Sequence, residues 1–126
     1  MLKNIKTKEF LNGKIHRATI TGTFPDYEGS ITIDKYLMDL SDIAEYEKVL
    51  VANIDTGERF ETYAIYAEPY SGRIEINGAA AKKAKIGEKV IIMSFVSLEK
   101  GDNGKYENSP FMVKVDDKNK VIIFKD

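Results

Sequence analysis

The sequence predicts an all-β fold that closes into a small barrel, and three observations carry that prediction. Apolar residues recur with period two along most of the chain, the pattern of half-buried strands. Clusters of Gly, Pro, Asn and Asp punctuate these runs at short intervals. Two segments also echo each other, ITIDKYLMDLSDIAEYEKVLVANI from Ile31 and IEINGAAAKKAKIGEKVIIMSF from Ile74. Each reads as a short strand, a capping residue, a small helix, then Glu-Lys-Val and an apolar strand. The offset is 43 residues between the caps Asp34 and Asn77, and 41 between Glu47 and Glu88. Two strand-helix-strand units of matching size predict a pseudo-twofold pair, and two such units closing on each other make a barrel.

The elements follow in order. Gly13 to Gly22 alternates as a strand, with Lys14, His16, Ala18 and Ile20 expected on one face and Ile15 on the other. Thr23 to Gly29, with Pro25 and Asp26, reads as a turn, so Ile31 to Ile33 is expected to return as a hairpin partner. Asp34 can cap a helix of about two turns, because Tyr36, Leu37, Leu40 and Ile43 recur at helical spacing. Val49 to Ile54 and Arg59 to Ala67 form a hairpin around Asp55-Thr56-Gly57, with Phe60, Thr62 and Ala64 opposite Arg59, Glu61, Tyr63 and Ile65. After the loop Pro69 to Gly72 comes a short strand, Arg73 to Ile76, and Asn77 caps an alanine-rich helix to about Ala84. Val90 to Leu98 is a buried strand, Glu99 to Ser109 a polar loop, and Phe111 to Val115 with Val121 to Phe124 the last pair of strands.

Composition narrows the chemistry. A chain of 126 residues is one domain by length. Nineteen basic and 20 acidic side chains give a net charge of −1, which supplies no basic footprint for nucleic acid. With no cysteine and one histidine, thiolate nucleophiles, disulfides, zinc ribbons and histidine cages drop out. What remains is carboxylate, lysine, hydroxyl or backbone chemistry. No stretch has the length and apolarity of a membrane span, and the leading MLKNIKTKEFLNGK has no apolar signal core, so a cytoplasmic address is expected.

Individual residues say little in isolation. Gly29-Ser30 is an ordinary turn pair, since glycine reaches positive φ and serine bonds locally. Lys14 and Arg59 are two cations on different strands, suited to a dicarboxylate but equally to a solvated face. His16 reads more simply as a surface histidine than as a catalyst. Tyr63 and Thr62 fit an ordinary strand, and Asn77-Gly78-Ala79-Ala80 reads first as a helix cap and only second as an anion-binding turn.

Together these segments resemble a known family. KIHRATIT from Lys14, YEGSITID from Tyr27, NIDTGERFETYAI from Asn53, INGAAA from Ile76 and VIIMSF from Val90 are similar, in order and spacing, to the pyruvoyl-dependent aspartate 1-decarboxylases. The resemblance spans roughly Leu11 to Leu98, and more loosely Ser109 to Asn119. It implies a six-stranded double-psi β-barrel, a homotetramer with sites between subunits, and conversion of L-aspartate to β-alanine and carbon dioxide for pantothenate and coenzyme A synthesis. It also implies a covalent pyruvoyl group made from Ser30, with no metal and no pyridoxal phosphate. The Ser30 hydroxyl would attack the Gly29 carbonyl, and β-elimination would then split the chain into residues 1–29 and 30–126. Thr62 and Asn77 are implied to assist, and a strained turn would favour the step. The pyruvoyl ketone would form a Schiff base with aspartate and accept the electrons released with the α-carboxylate.

By the same resemblance Tyr63 is the proton donor, Lys14 and Arg59 hold carboxylates, and Thr62, Gly78, Ala79 and Ala80 contact substrate. His16 and Tyr27 stand in support. An arginine suits this task because its planar fork binds a carboxylate bidentately. The segment before Lys14 is longer than the family pattern, Glu99 to Asn108 is unlike it, and an accessory maturation protein is left open as a partner. The competing reading is a non-catalytic double-psi barrel that serves as a binding module and has lost self-cleavage. Against it stands the coincidence of Gly29-Ser30, Lys14, Arg59, Tyr63 and Asn77. A swapped-hairpin nucleic-acid binder would need the basic stripe that the net charge denies.

Overall fold

The computed structural model describes residues 6–126, so the reading of the first five lies outside it. Strands dominate: β1 Thr7–Thr19, β2 Gly22–Phe24, β3 Ser30–Asp34, β4 Lys48–Asn53, β5 Arg59–Ala67, β6 Ile74–Asn77, β7 Lys89–Glu99, β8 Phe111–Val115 and β9 Val121–Lys125. One helix, α1 Lys35–Leu40, and one 3-10 turn, Gly78–Lys83, interrupt them. The all-β expectation holds, because the period-two pattern buries Ile15, Ile31, Ile33, Val49, Val51, Ile74, Ile76, Val90 and Ile92 in one cluster.

Among the described residues the hydrogen-bonded order is β2-β6-β3-β5-β4-β7-β1-β8-β9. The chain passes directly from β1 to β2, although these stand far apart in that order. Ile20 bridges the gap on one side, donating to the Glu88 carbonyl at 2.9 Å, and Thr21 on the other, donating to that of Ile74 at 2.8 Å. The sheet therefore curls back on itself, an arrangement that fits the expected barrel.

The two echoing units are related in the ladder. β3 pairs antiparallel with β6, and β4 pairs antiparallel with β7. β5 reaches both β4 and β3, as β1 and β2 together reach β7 and β6. The glutamates behave alike: Glu47 accepts from the Ala44 amide at 2.9 Å and Glu88 from the Lys85 amide at 2.7 Å.

Three sequence expectations are corrected. Ser30–Asp34 does not pair back onto β1; it lies parallel to β5 and antiparallel to β6, because the hydrophobic faces of the two units meet each other. Ala18 and Ile20 do not share a face with Lys14 and His16. A bulge between Ile15 and Ala18, with Arg17 at φ 65°, shifts the alternation by one residue and sends Ile15, Ala18 and Ile20 into the core. The alanine-rich segment is a 3-10 turn, and Asn77 makes no side-chain capping bond to it. By contrast the Asp34 cap is as expected, accepting from the Tyr36 amide at 2.9 Å.

β1 also starts earlier than the alternation suggests, since Thr7 to Leu11 pair with Glu99 to Phe95. The leading part of β1 meets the Glu99 to Asn108 segment here. Phe10 packs on Tyr106 with ring centroids 4.8 Å apart, and the Asn108 amide donates to the Leu11 carbonyl at 3.3 Å. The leading strand thus seats this loop.

Candidate active site

Ser30 opens β3 and is buried, 2 % exposed. Antiparallel pairing sets it opposite Asn77, the last residue of β6. The parallel register with β5, Ile31 opposite Ala64, brings Tyr63 level with Ser30. These three side chains line one cleft of about 370 Å³ together with Tyr27, Glu28 and Ile65. The Asn77 carboxamide donates from Nδ2 to Ser30 Oγ at 2.9 Å and to Thr32 Oγ1 at 2.9 Å.

Two glycines shape the turn ahead of Ser30, for different reasons. Gly78 sits at φ 80°, and a Cβ there would stand 2.6 Å from Gly29 Cα and 3.1 Å from the Tyr27 carbonyl oxygen. Only glycine lets the Tyr27 to Gly29 turn rest on the start of the 3-10 turn. Gly29 is exposed and has nothing within 4 Å of where a Cβ would be, so a side chain there would meet open space. Neither Gly29 nor Ser30 is among the residues with positive φ, and the expected strain in this turn is not found in its φ angles.

The structure places the other predicted residues apart from this cleft. Lys14 and His16 do share a face, but they line a separate groove of about 320 Å³ with Met112, Lys114, Ile123 and Lys125. Lys14 is opposite Met93, Met93 opposite Leu50, and Leu50 opposite Glu61, which puts three strand spacings, roughly 14 Å, between Lys14 and β5. Arg59 lies on the Tyr63 side of β5, four residues earlier and therefore about 13 Å along the strand. Thr62 alternates to the opposite side of β5 from Tyr63 and is absent from the cleft lining. Ala79 and Ala80 follow Gly78 in the 3-10 turn, Ala79 exposed and Ala80 packed against the core cluster.

The electrostatics of the second groove are one-signed. His16 has its pKa lowered from 6.5, first by burial and then by Lys14, Lys114 and Arg17, so it is neutral at pH 7. Its buried Nδ1 has no hydrogen-bond partner. Lys14, Lys114 and Lys125 give this groove its positive charge, with the imidazole among them. A larger groove, about 510 Å³, lies elsewhere, lined by Glu9, Glu47, Lys48, Glu61 and Phe95. It contains none of the residues gathered around Ser30, so size does not mark the chemistry here. Among the described residues no group of His, Cys, Asp or Glu could hold a metal ion, and no helix is long and apolar enough to cross a membrane.

Sequence reasoning missed Thr32, Glu28, Ile65 and Tyr46. Thr32 was accessible in principle, because it stands two residues from Ser30 and so shares its face. Tyr46, whose ring centroid is 6.4 Å from that of Tyr63, comes from a distant turn and carries no local signal.

Comparison with known proteins gives the family. The family model described as aspartate decarboxylase matches residues 6–122. Relatives called aspartate 1-decarboxylase include one from Clostridium botulinum (strain Langeland), 51 % identical over 115 residues, 91 % of this chain and 89 % of the relative. Another, from Caldicellulosiruptor bescii, is 49 % identical over 118 residues, covering 94 % and 91 %. A third, from Lactiplantibacillus plantarum, is 49 % identical over 113 residues, covering 90 % and 85 %. A buried serine after an exposed glycine, an amide on its hydroxyl and a tyrosine level with it thus occur in a chain that belongs to the aspartate decarboxylase family.

Proposed function

We propose that this chain decarboxylates L-aspartate to β-alanine and carbon dioxide, the step that feeds pantothenate and coenzyme A synthesis, and that it does so with a pyruvoyl group made from its own Ser30. The observation that carries this reading is Ser30 Oγ, buried and held by Asn77, directly after the exposed Gly29. The residues fit the group: the hydroxyl is buried, one lone pair is engaged, and the residue whose carbonyl it would attack is a glycine without a side chain in the way.

Ser30 Oγ bonds to the Gly29 carbonyl carbon as the Gly29–Ser30 amide bond breaks, its proton passing to the released amine. The Asn77 N–H fixes where that oxygen sits, which is the positional part of the catalysis. Loss of the Ser30 Cα proton then breaks the Cβ–Oγ bond and releases Gly29 as a carboxylate. Water replaces the nitrogen of the resulting enamine, which leaves as ammonia. The domain becomes two chains, residues 1–29 and 30–126, held together by a shared core: Ile15 and Ile20 from one, Ile31, Val51 and Ile92 from the other.

The pyruvoyl group supplies a carbonyl that takes up the amine of aspartate and the electron pair left by carbon dioxide. Tyr63, 36 % exposed and level with residue 30, donates the proton that replaces the carboxylate. Gly78, Ala79 and Ala80 border the substrate, while Tyr27 closes one wall of the cleft. Thr62 stands on the opposite side of β5 from Tyr63, and its assisting role rests on the family pattern alone.

Carboxylate binding needs cations, and a single chain does not bring them to the cleft. Lys14, with His16 in support, and Arg59 serve a site completed by a neighbouring copy, which supports a homotetramer with sites between subunits. An accessory maturation protein would act on the exposed turn before Ser30, where Tyr27 is 67 % exposed.

Intact-mass measurement under denaturing conditions tests the reading. Two chains split between Gly29 and Ser30 are expected, the larger blocked by pyruvoyl, and Ser30→Ala stays whole and inactive. An unbroken chain after prolonged warm incubation, with no β-alanine formed from aspartate, overturns it.

A further inference from the structure

We propose that Thr32 is a positioning residue for this site: its hydroxyl anchors the Asn77 carboxamide, so that the other N–H stays aimed at residue 30 both before and after Ser30 loses its oxygen. The proposal rests on the reading of Ser30 as a self-processing serine.

A primary amide carries two N–H donors. Asn77 spends one on Ser30 Oγ and one on Thr32 Oγ1, each at 2.9 Å, and none on capping the 3-10 turn that it precedes. The two acceptors stand on one face of β3, two residues apart, while Asn77 sits across the ladder opposite Ser30. The acceptors differ in permanence. Ser30 Oγ becomes the ester oxygen and departs with Gly29 when the Cβ–Oγ bond breaks. Thr32 Oγ1 remains.

Terminal amide rotation is soft, with broad preferences at χ2. A carboxamide that lost its only hydroxyl acceptor would turn toward water, because leaving a partly buried donor unpaired is unfavourable. Thr32 prevents this. It is branched at Cβ and therefore stiff at χ1, it is only 9 % exposed, and it lies inside a strand paired on both sides. One donor thus stays pinned, and geometry directs the second toward the position where the new carbonyl arises.

The test compares two variants of the full chain with the native one by following cleavage with intact-mass measurement and, on the processed fraction, kcat and KM for L-aspartate. Thr32→Val keeps the shape and removes the hydroxyl; it should slow cleavage about tenfold and lower kcat by a similar factor with a smaller change in KM, the loss of roughly one hydrogen bond. Thr32→Ser keeps the hydroxyl and removes the methyl; it should stay within about twofold of the native chain. A packing role predicts the reverse order, and that order overturns the proposal. Should Thr32→Val fold poorly, Thr32→Ser decides: cleavage and kcat within about twofold of the native chain are expected with the hydroxyl kept, and a tenfold loss in a folded Thr32→Ser overturns the proposal. A native chain that never cleaves overturns the Ser30 reading and this one with it, whereas native cleavage matched by Thr32→Val removes only the role of Thr32.

Discussion

The two strand-helix-strand units share a plan and differ at one residue that matters. In the first, Asp34 caps α1 and also accepts from the Tyr70 and Gly72 amides, each at 2.9 Å, tying the helix start to the loop before β6. In the second, the matching Asn77 leaves its turn uncapped and points both donors at hydroxyls on β3. A carboxylate only accepts, which suits backbone amides; a carboxamide also donates, which suits hydroxyl oxygens. The two units therefore use their caps differently, one holding its own helix and loop and the other reaching across to the Ser30 and Thr32 hydroxyls. The turn-closing glutamates, Glu47 and Glu88, kept the same role in both.

Paired substitutions would sharpen or break that contrast most strongly. Asp34→Ala removes an acceptor from three backbone amides and should lower stability by about 4 kcal/mol. Asn77→Ala should cost only about 1 to 2 kcal/mol yet nearly abolish cleavage after Gly29. Chemical denaturation and intact-mass analysis measure the two effects; equal stability losses would end the distinction between the caps.

A smaller effect is expected from Gly78→Ala. Its φ of 80° and the 2.6 Å approach to Gly29 Cα make a Cβ costly by about 2 kcal/mol, and the displaced turn should slow cleavage. Normal cleavage with reduced stability would show that the turn's seat does not set the position of the Gly29 carbonyl.

The mildest effect lies in the basic groove. His16 is the only histidine, so its ring resonance can be followed without ambiguity. Its titration midpoint should fall below 6.5, and Lys14→Ala should move it back upward. Because the folded pKa is depressed, the folded chain disfavours the added proton. Stability from this group is present above about pH 6.5 and is lost as pH falls through the lower folded value. A midpoint at or above 6.5 would show that carboxylates, not cations, face the imidazole.

Much of this was legible in the sequence, and the exceptions have physical causes. Strand positions, the Asp34 cap, the β4–β5 hairpin around Asp55-Thr56-Gly57 and the echo of the two units all follow from local periodicity and turn chemistry. The pairing of Lys14 with His16 was read correctly, but the fate of Ala18 and Ile20 was not, since a bulge is a one-residue event that alternation cannot foresee. Asn77 looked like a helix cap because asparagine before a Gly-Ala run is one in most chains. Its side chain turned away because β3, 47 residues earlier, presents Ser30 Oγ within reach.

The sequence by itself determined the all-β class and, through its motifs, the family. Those depend on alternation, capping preferences and residue identity, all of which are local. Only the tertiary structure decided that Tyr63, Asn77 and Ser30 share a cleft, that Thr32 joins them, and that Lys14 and Arg59 stand apart from it. Those relations depend on which strands lie side by side and in what register, and that is fixed by the burial of apolar faces from segments far apart in the chain.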